Sequence, residues 1–436
     1  MGEAADCRPR PVEPQYGIIA EAMSPMVERQ QHNRSAAEID CRRQPEGRLK
    51  GVNHTMSKNL LYLGLDVHAQ TVAIAIAEAN GEVRNYGSVS NDLGVLEKTM
   101  RRIKNAHPGC ELRVCYEAGP TGFVIARRCA QLGIDCAVVA PSLIPSRAGD
   151  RVKTDRRDAV KLARLHRAGE LTAVNVPNAC DEAMRDLCRA RTDAVQDLRR
   201  SRAQLKAFLL RNGYRYSGKS SWTEAHRRYL RELVLPHGAQ RVVLEDSLRA
   251  ITTAEERIER LEDQMEALLE SWEMKPVVEA LMGLRGFQIV GAMVLVSELG
   301  GAWRFDHPRQ LMKYLGLVPT EDSSGPRRRQ GGITKAGNSH ARWLLIEAAQ
   351  HYRLPPKISK ELSKRQEHLS KEIKACSWKA QTRLHSRMMR LSARGKLKNK
   401  VTVAVARELA GFVWAIFRLM EPQMKSAAKT EAAVVP

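Results

Sequence analysis

Hydrophobic and polar positions follow three rhythms along the chain. Residues 1–58 scatter Pro, Gly, Arg and Glu with no sustained apolar period, which predicts a disordered extension ending just after Met56. From Leu60 short apolar runs appear. Leu61 to Asp66, Thr71 to Ala77 and Glu82 to Ser88 read as three strands, and Ala79-Asn80-Gly81 is the turn between the second and third. Asn91 to Asn105 carries Leu93, Leu96, Met100 and Ile103 at helical spacing. Leu112 to Tyr116 is a fourth strand, a helix contains Phe123 to Leu132, and Asp135 to Val139 is a fifth strand. Three meandering strands followed by alternating strand and helix imply a mixed sheet with helices packed on it, an α/β domain over 59–175.

The second rhythm is helical. Asp181 to Leu210 reads as a polar, arginine-rich helix that stops at Asn212-Gly213, followed by a loop around Tyr214 to Trp222. Arg241 to Trp272 then shows heptads: Leu244, Ile251, Ile258 and Met265 fall seven apart, with Ala254, Leu261 and Leu268 in the other seam position. Residues 176–274 are therefore expected to form a helical coiled-coil connector, whose helices pair antiparallel or make a dimer seam; an ordinary core hairpin of helices fits equally.

The third region, 275–420, is expected to be mostly α-helical. Val277 to Met282, the turn Gly283-Leu284-Arg285-Gly286 and Ile289 to Leu299 read as a helix-hairpin-helix-like segment, whose turn amides suit a DNA phosphate or simply close helix packing. A helix over Gln310 to Leu317 precedes a loop with Ser323 and Ser324 beside Arg327, Arg328 and Arg329. Gly331 to Asn338 then leads into a helix over Ser339 to Arg353. Lys357 to Lys400 is dense in Lys and Arg, with little acid after Glu372; it reads as a surface along a nucleic acid or as a solvated basic helix pair. Val401 to Met420, broken by Arg407 and Glu408, reads as a core helix rather than a membrane span, and 421–436 as a disordered tail.

Composition sharpens the picture. Among 436 residues Lys and Arg outnumber Asp and Glu by 71 to 49, a net charge of +22 that points to a polyanionic partner, nucleic acid first. The nine cysteines form neither a CxxC pair nor a zinc-spaced cluster, so reduced thiols in a cytoplasmic protein are expected and no zinc is predicted. No apolar signal core opens the chain.

Candidate chemistry centres on Gly149 to Ala159. Asp155 and Asp158 stand three apart, on one face of a helix, and Arg151, Lys153, Arg156 and Arg157 crowd them. That combination suits a hard cation where a phosphate backbone is drawn in, although Thr154 as N-cap with acids in the first turn describes a plain helix start equally well. Asp66 ends the first strand and Glu117 ends a later one, so one sheet edge can gather four acids around one or two Mg²⁺ ions, as in RNase H-like nucleases. Singly, each is unremarkable: an Asp after a strand is usually a turn former, Glu117 a surface acid, and a Ser-Ser-Gly loop a turn.

Five blocks carry a resemblance. Tyr62-Leu63-Gly64-Leu65-Asp66-Val67, Tyr116-Glu117-Ala118-Gly119-Pro120 and Lys153-Thr154-Asp155-Arg156-Arg157-Asp158-Ala159 come first. Gly316-Leu317-Val318-Pro319 through Ser324-Gly325, and Ile333-Thr334-Lys335-Ala336-Gly337-Asn338, follow. In this order they resemble the signature blocks of the insertion sequence 110/1111 family of transposases, which includes the pilin-gene invertases, over about Leu60 to Tyr352. The resemblance implies a RuvC-like (RNase H-like) domain with a DEDD metal site at Asp66, Glu117, Asp155 and Asp158, a coiled-coil connector, and a transposase domain with Ser324 as nucleophile and Ser323 its neighbour. It further implies DNA donor and target, a noncoding bridge RNA as guide, and homo-oligomers, dimer or tetramer, in which one protomer's metal site meets another's serine. The working place is then the bacterial cytoplasm, at the nucleoid, with no membrane. Candidate nucleic-acid contacts are Arg151, Lys153, Arg156, Arg157, Arg285, Arg327, Arg328, Arg329 and Lys335. A metal-dependent structure-specific nuclease without a serine intermediate is the alternative, and a nucleic-acid-binding protein without chemistry is the third reading.

Overall fold

The computed structural model describes residues 59–145, 154–324 and 327–432, with side chains except at 327, 328 and 427–432. The extension expected over 1–58, the final residues 433–436, and the candidates Arg151 and Lys153 lie outside the described residues, as do the side chains of Arg327 and Arg328.

Alternation along the first strands builds a five-stranded sheet with two unlike faces. Strands β1 (Asn59–Val67), β2 (Thr71–Glu78), β3 (Val83–Ser90), β4 (Cys110–Glu117) and β5 (Asp135–Val139) lie in the order β3-β2-β1-β4-β5. The pairs β1/β2 and β2/β3 are antiparallel, whereas β1/β4 and β4/β5 are parallel. Successive side chains of a strand point to opposite faces. On one face Leu61, Leu63, Leu65, Ile74 and Ile76 meet Leu96, Met100 and Ile103 of α1 (Leu93–Ala106) and Ile125 and Cys129 of α2 (Val124–Gln131).

The other face is made of small residues. Ala73, Ala75 and Ala77 of β2 pack with Ala159 and Ala163 of α3 (Asp155–Arg167). At Gly64 a Cβ would stand 2.3 Å from both the Ala159 carbonyl oxygen and the Ala163 amide nitrogen. Only glycine lets the helix backbone lie this close to β1, and this fixes where the first turn of α3 ends up relative to the end of β1.

Two long helices follow, α4 (Ala179–Arg211) and α6 (Gly238–Leu269), with α5 (Glu224–Glu232) between them. Ion pairs Arg191–Glu262, Asp197–Arg257 and Arg202–Glu255 run in opposite directions along the two helices, so the pair is antiparallel within one chain. Leu244 and Ile251 of the heptad seam are buried against Leu198, Leu205 and Leu209, while Leu268 is exposed. Between the loop around Tyr214 to Trp222 and Arg241, where no element was expected, lies α5, which buries only His226 and Leu230, too few apolar positions for periodicity to reveal a helix. The near end of the pair is no free-standing connector: Met184, Cys188, Met265, Leu269 and Trp272 belong to the core of the helical region that follows.

That region comprises α7 (Lys275–Met282), α8 (Ile289–Leu299), α9 (Pro308–Tyr314), the hairpin β6 (Pro319–Ser324) and β7 (Arg327–Ile333), then α10 (Ser339–Ala349), α11 (Lys360–Gln366), α12 (Lys371–Ala393) and α13 (Lys398–Ala432). Helix α13 supplies Val405, Leu409, Val413, Ile416 and Phe417 to the core, as its apolar run requires. Three expectations are corrected here. The helix expected to Leu317 stops at Tyr314, because the chain turns at Gly316 with φ +63°. The serine loop is a two-stranded hairpin, with Ser324 opposite Arg327 and Ser323 opposite Arg328. The tail expected to be disordered from 421 instead continues α13 to Ala432, helped by Glu421 pairing with Arg418 and Lys425 one turn to either side. Among the described residues no helix is long and apolar enough to cross a membrane.

Candidate active site

The end of β1 and the start of α3 bring acids together. Leu65 pairs with Tyr116 across β1 and β4, and both side chains point into the α1/α2 core. The next residues, Asp66 and Glu117, therefore leave adjacent strands toward the α3 face. Thr154 caps α3, its hydroxyl accepting from the Arg157 amide at 3.4 Å, and sets Asp155 and Asp158 in the first turn on that face. The plain helix start and the acid site thus coexist in one stretch.

Asp66, His68 and Asp155 each present a ligand atom within 4.8 Å of the others, a spacing that would hold a metal ion. The His68 Nε2 lies 3.3 Å from both Asp66 Oδ2 and Asp155 Oδ1. Burial raises the Asp66 carboxyl above its ordinary range, the charges of Asp158 and Asp155 push the same way, and His68 opposes them. Asp158, in the same first turn of α3, lies outside that 4.8 Å group. Glu117 sits exposed at the same edge, outside the 4.8 Å group. Sequence reasoning missed His68. Its signal was its place two residues after Asp66, in a turn tied by the His68 amide to Thr71 O at 2.9 Å and by Asn91 Nδ2 to His68 O at 2.7 Å. Of the expected basic neighbours, Arg156 lines an open depression beside Thr154, Asp155 and Asn85, and Arg157 is exposed.

Ser324 stands on a different element. The Ser323 hydroxyl donates to Glu321 Oε1 at 3.1 Å, whereas Ser324 is exposed and its hydroxyl has no partner among the described residues. Arg329 is exposed opposite Asp322 in the hairpin register. The hairpin stem is held tightly. The Thr334 amide donates to Val318 O at 2.9 Å and the Lys335 amide to Gly316 O at 3.2 Å. Added Cβ atoms would meet Ala336 O at 2.2 Å from Gly316 and Tyr314 O at 1.9 Å from Gly337. The blocks at Gly316 and Gly337 are therefore two halves of one close contact. Lys335 holds it with φ +55°, and its side chain is exposed.

Beneath the stem lies Glu298, 2% exposed. Arg189 of α4 donates to it from Nε at 2.7 Å and Nη2 at 3.0 Å, and Asn338 Nδ2 donates at 2.6 Å. Burial alone would raise this carboxyl, but the hydrogen bonds from Arg189 and Asn338 and the charge of Arg189 hold it below its ordinary range. Asn338 also caps α10 by accepting from the Ala341 amide at 2.9 Å. Sequence reasoning did not single out Glu298 or Arg189; a lone Glu in an apolar helix was the available signal.

Arg285 was expected on the nucleic-acid face. Its guanidinium instead donates to three main-chain carbonyls, Leu354 at 3.0 Å, Pro355 at 2.9 Å and Lys357 at 2.8 Å. Gly286, with φ +94°, approaches the Ala348 backbone so closely that a Cβ would lie 2.7 Å from its oxygen. This turn serves helix packing.

Comparison with known proteins gives the chain a family. Residues 278–362 match the model described as Transposase IS116/IS110/IS902 family, and residues 63–212 match a DEDD transposase model of the IS110 type. The chain is 49% identical over 361 residues to the "Putative transposase y4qE" of Sinorhizobium fredii, covering 82% of this chain and 88% of that one. The chain belongs to this transposase family. The transposase is also 28% identical over 343 residues to the transposase for insertion sequence element IS1533 of Leptospira borgpetersenii, covering 78% and 99% of the two chains. With the transposase for IS1111A of Coxiella burnetii it shares 23% identity over 227 residues, 50% of this chain and 60% of that one. The transposase carries all four acids in its first matched segment and Ser324 in its second.

Proposed function

We propose that this insertion sequence transposase cuts and rejoins DNA by pairing a divalent-cation site at Asp66, Glu117, Asp155 and Asp158 with a serine nucleophile, Ser324. The observation that carries the reading is the convergence of Asp66, His68 and Asp155 within 4.8 Å of one another, with the charge of Asp158 also acting on Asp66. Oxygen donors gathered this closely suit Mg²⁺, which would polarise a phosphodiester and steady charge on its oxygens. The N-terminal unit is read as RNase H-like (RuvC-like), and its sheet order β3-β2-β1-β4-β5, with acids where β1 and β4 end, supports that.

The chain's own groups have distinct tasks. Asp66 and Glu117 are held by the sheet and Asp155 and Asp158 by α3, so the acids are oriented before any strand arrives. Ser324 Oγ loses its proton and forms a bond to phosphorus as one strand P–O bond breaks, and the departing oxygen takes up a proton, so the exchange balances; the phosphoserine link conserves the bond for rejoining. Arg327, Arg328 and Arg329 are positioned in sequence to meet the phosphoryl charge. The net charge of +22 supports polyanionic partners, read as donor and target DNA and a bridge RNA. Ser324 stands on the β6/β7 hairpin, whereas Asp66 and Glu117 end strands of the five-stranded sheet and Asp155 and Asp158 begin α3; the reading, as the family resemblance implies, is a homo-oligomer in which one protomer's serine meets its partner's acids. The same separation favours a second reading, a metal-dependent nuclease in which Ser324 is only a hairpin residue. The working place is read as the bacterial cytoplasm, at the nucleoid.

The test incubates the full chain, with its copurified nucleic acid, with DNA carrying the element's junction and Mg²⁺. A covalent protein–DNA band that persists in Ser323→Ala and disappears in Ser324→Ala and Asp66→Ala is expected. Undiminished cutting by Ser324→Ala would sink the serine step and leave the metal-only nuclease.

A further inference from the structure

Helix α12 and its turn into α13 lie beyond residue 362, outside both matched family segments, and nothing in the proposed chemistry uses them. Between Glu372 and Glu408 the chain has ten Lys or Arg and no acid. Burial of Ile373, Ser377, Ala380, Gln381, Leu384 and Met388 docks one face of α12 and turns the opposite face to solvent.

That outer face is ordered by helical spacing. Trp378 and Met389 lie along one edge, Lys379 and Arg390 along the other, and the exposed Ala375, Thr382 and Ser386 make a low strip between. Trp378 is 44% and Met389 42% exposed, and Leu397 in the following turn is 68% exposed. Of the basic groups here, Arg383 and Arg387 pair with Glu408. Lys379, Arg390, Arg394, Lys396, Lys398 and Lys400 have no acidic partner among the described residues.

A merely solvated face has no need of an exposed tryptophan beside unpaired cations. We infer that this face of α12, continued by Arg394 and the α12–α13 turn, binds a nucleic-acid backbone. The cations hold phosphates, and Trp378 lies against sugar or an unstacked base. Lys379 and Arg390 are about 16 Å apart along the axis, a reach of about five nucleotides of one strand. The partner is a polyanion because six cations on and beside this face have no acidic partner among the described residues, while its flanking acids are only Glu372 and the already paired Glu408, and the inference rests on the reading that this transposase handles nucleic acid.

The test measures binding of the full chain to duplex DNA, single-stranded DNA and RNA of equal length across a salt series, by fluorescence anisotropy. The variant replaces Lys379, Arg390 and Arg394 with Ala. A charge-matched control replaces the exposed Lys98, Arg102 and Lys104 of α1. For the duplex, the slope of log affinity against log salt should shrink by about 0.9 for each phosphate no longer neutralised, and by about 0.7 for a single strand. A smaller slope with at least one probe, absent in the control, supports the site and tells which nucleic acid it takes. Unchanged slope and affinity with all three probes, while the wild type binds, overturns this site and leaves the catalytic reading intact. Equal reductions in variant and control trace the effect to net charge and also overturn it. Should the wild type bind none of the probes, both readings fall.

Discussion

Two regions of this transposase solve the same packing problem and leave opposite electrostatic results. At Gly64 and at the Gly316/Gly337 contact, missing side chains let backbones approach closer than any Cβ permits. In the first case the approach collects carboxylates whose mutual repulsion, added to burial, raises Asp66. In the second it surrounds one carboxylate, Glu298, with Arg189 and Asn338 until the charged form is favoured. A polar cluster satisfied from within holds a fold together; one whose carboxylates repel one another is where a cation or substrate can complete the set.

The largest expected effect breaks the acid cluster. Asp66→Ala should lower DNA cleavage by about 10³-fold, since a ligand of the proposed metal site would lower the barrier by several kcal/mol, while the thermal midpoint without metal stays level or rises as a repelling charge is removed. Next, Gly64→Val drives a side chain into the Ala159 and Ala163 backbone. A destabilisation of about 3 kcal/mol is expected in denaturant titrations, with weakened Mg²⁺ binding because α3 must shift. Mg²⁺ itself should stabilise the wild type by about 2.7 kcal/mol at a hundredfold excess over Kd, and Asp66→Ala by much less, in thermal melts with and without chelator.

The hairpin stem responds differently. Glu298→Gln should cost about 2 kcal/mol by chemical denaturation and leave Mg²⁺ affinity unchanged. The folded Glu298 titrates below its ordinary value of 4.5, so its contribution is fully present above that pH and is lost as pH falls through the folded value. The stability gap between wild type and Glu298→Gln should therefore narrow on acidification below 4.5; a gap independent of pH would show that the carboxyl is not charged in the fold. The smallest effect is Arg285→Ala, about 1 kcal/mol of stability with no change in the salt slope of DNA binding, as suits a brace on main-chain carbonyls.

Much of the fold is legible in the sequence because it is local. Strand β5 occupies Asp135–Val139, the limits its apolar run predicts, and the turn at Ala79-Asn80-Gly81 separates β2 from β3 as expected. Thr154 announces the start of α3. Where periodicity is absent, the elements are hidden: β7 contains Arg-Arg-Arg-Gln-Gly-Gly-Ile and is a strand because its stem is tied at Val318 and Thr334, not because it alternates. Arg285 misleads because an arginine in a glycine turn looks the same in sequence whether it faces phosphate or its own backbone.

By itself the sequence determined the strands and helices that carry a clear apolar period, the excess positive charge and where the acidic side chains fall along the chain, all of which depend on side-chain type and spacing over a few turns. Only tertiary structure decided that His68 sits between Asp66 and Asp155, that Glu298 underlies the serine hairpin, and that Arg285 turns inward. Those outcomes depend on how closely backbones distant in sequence can approach, and that distance is set by packing rather than by local preference.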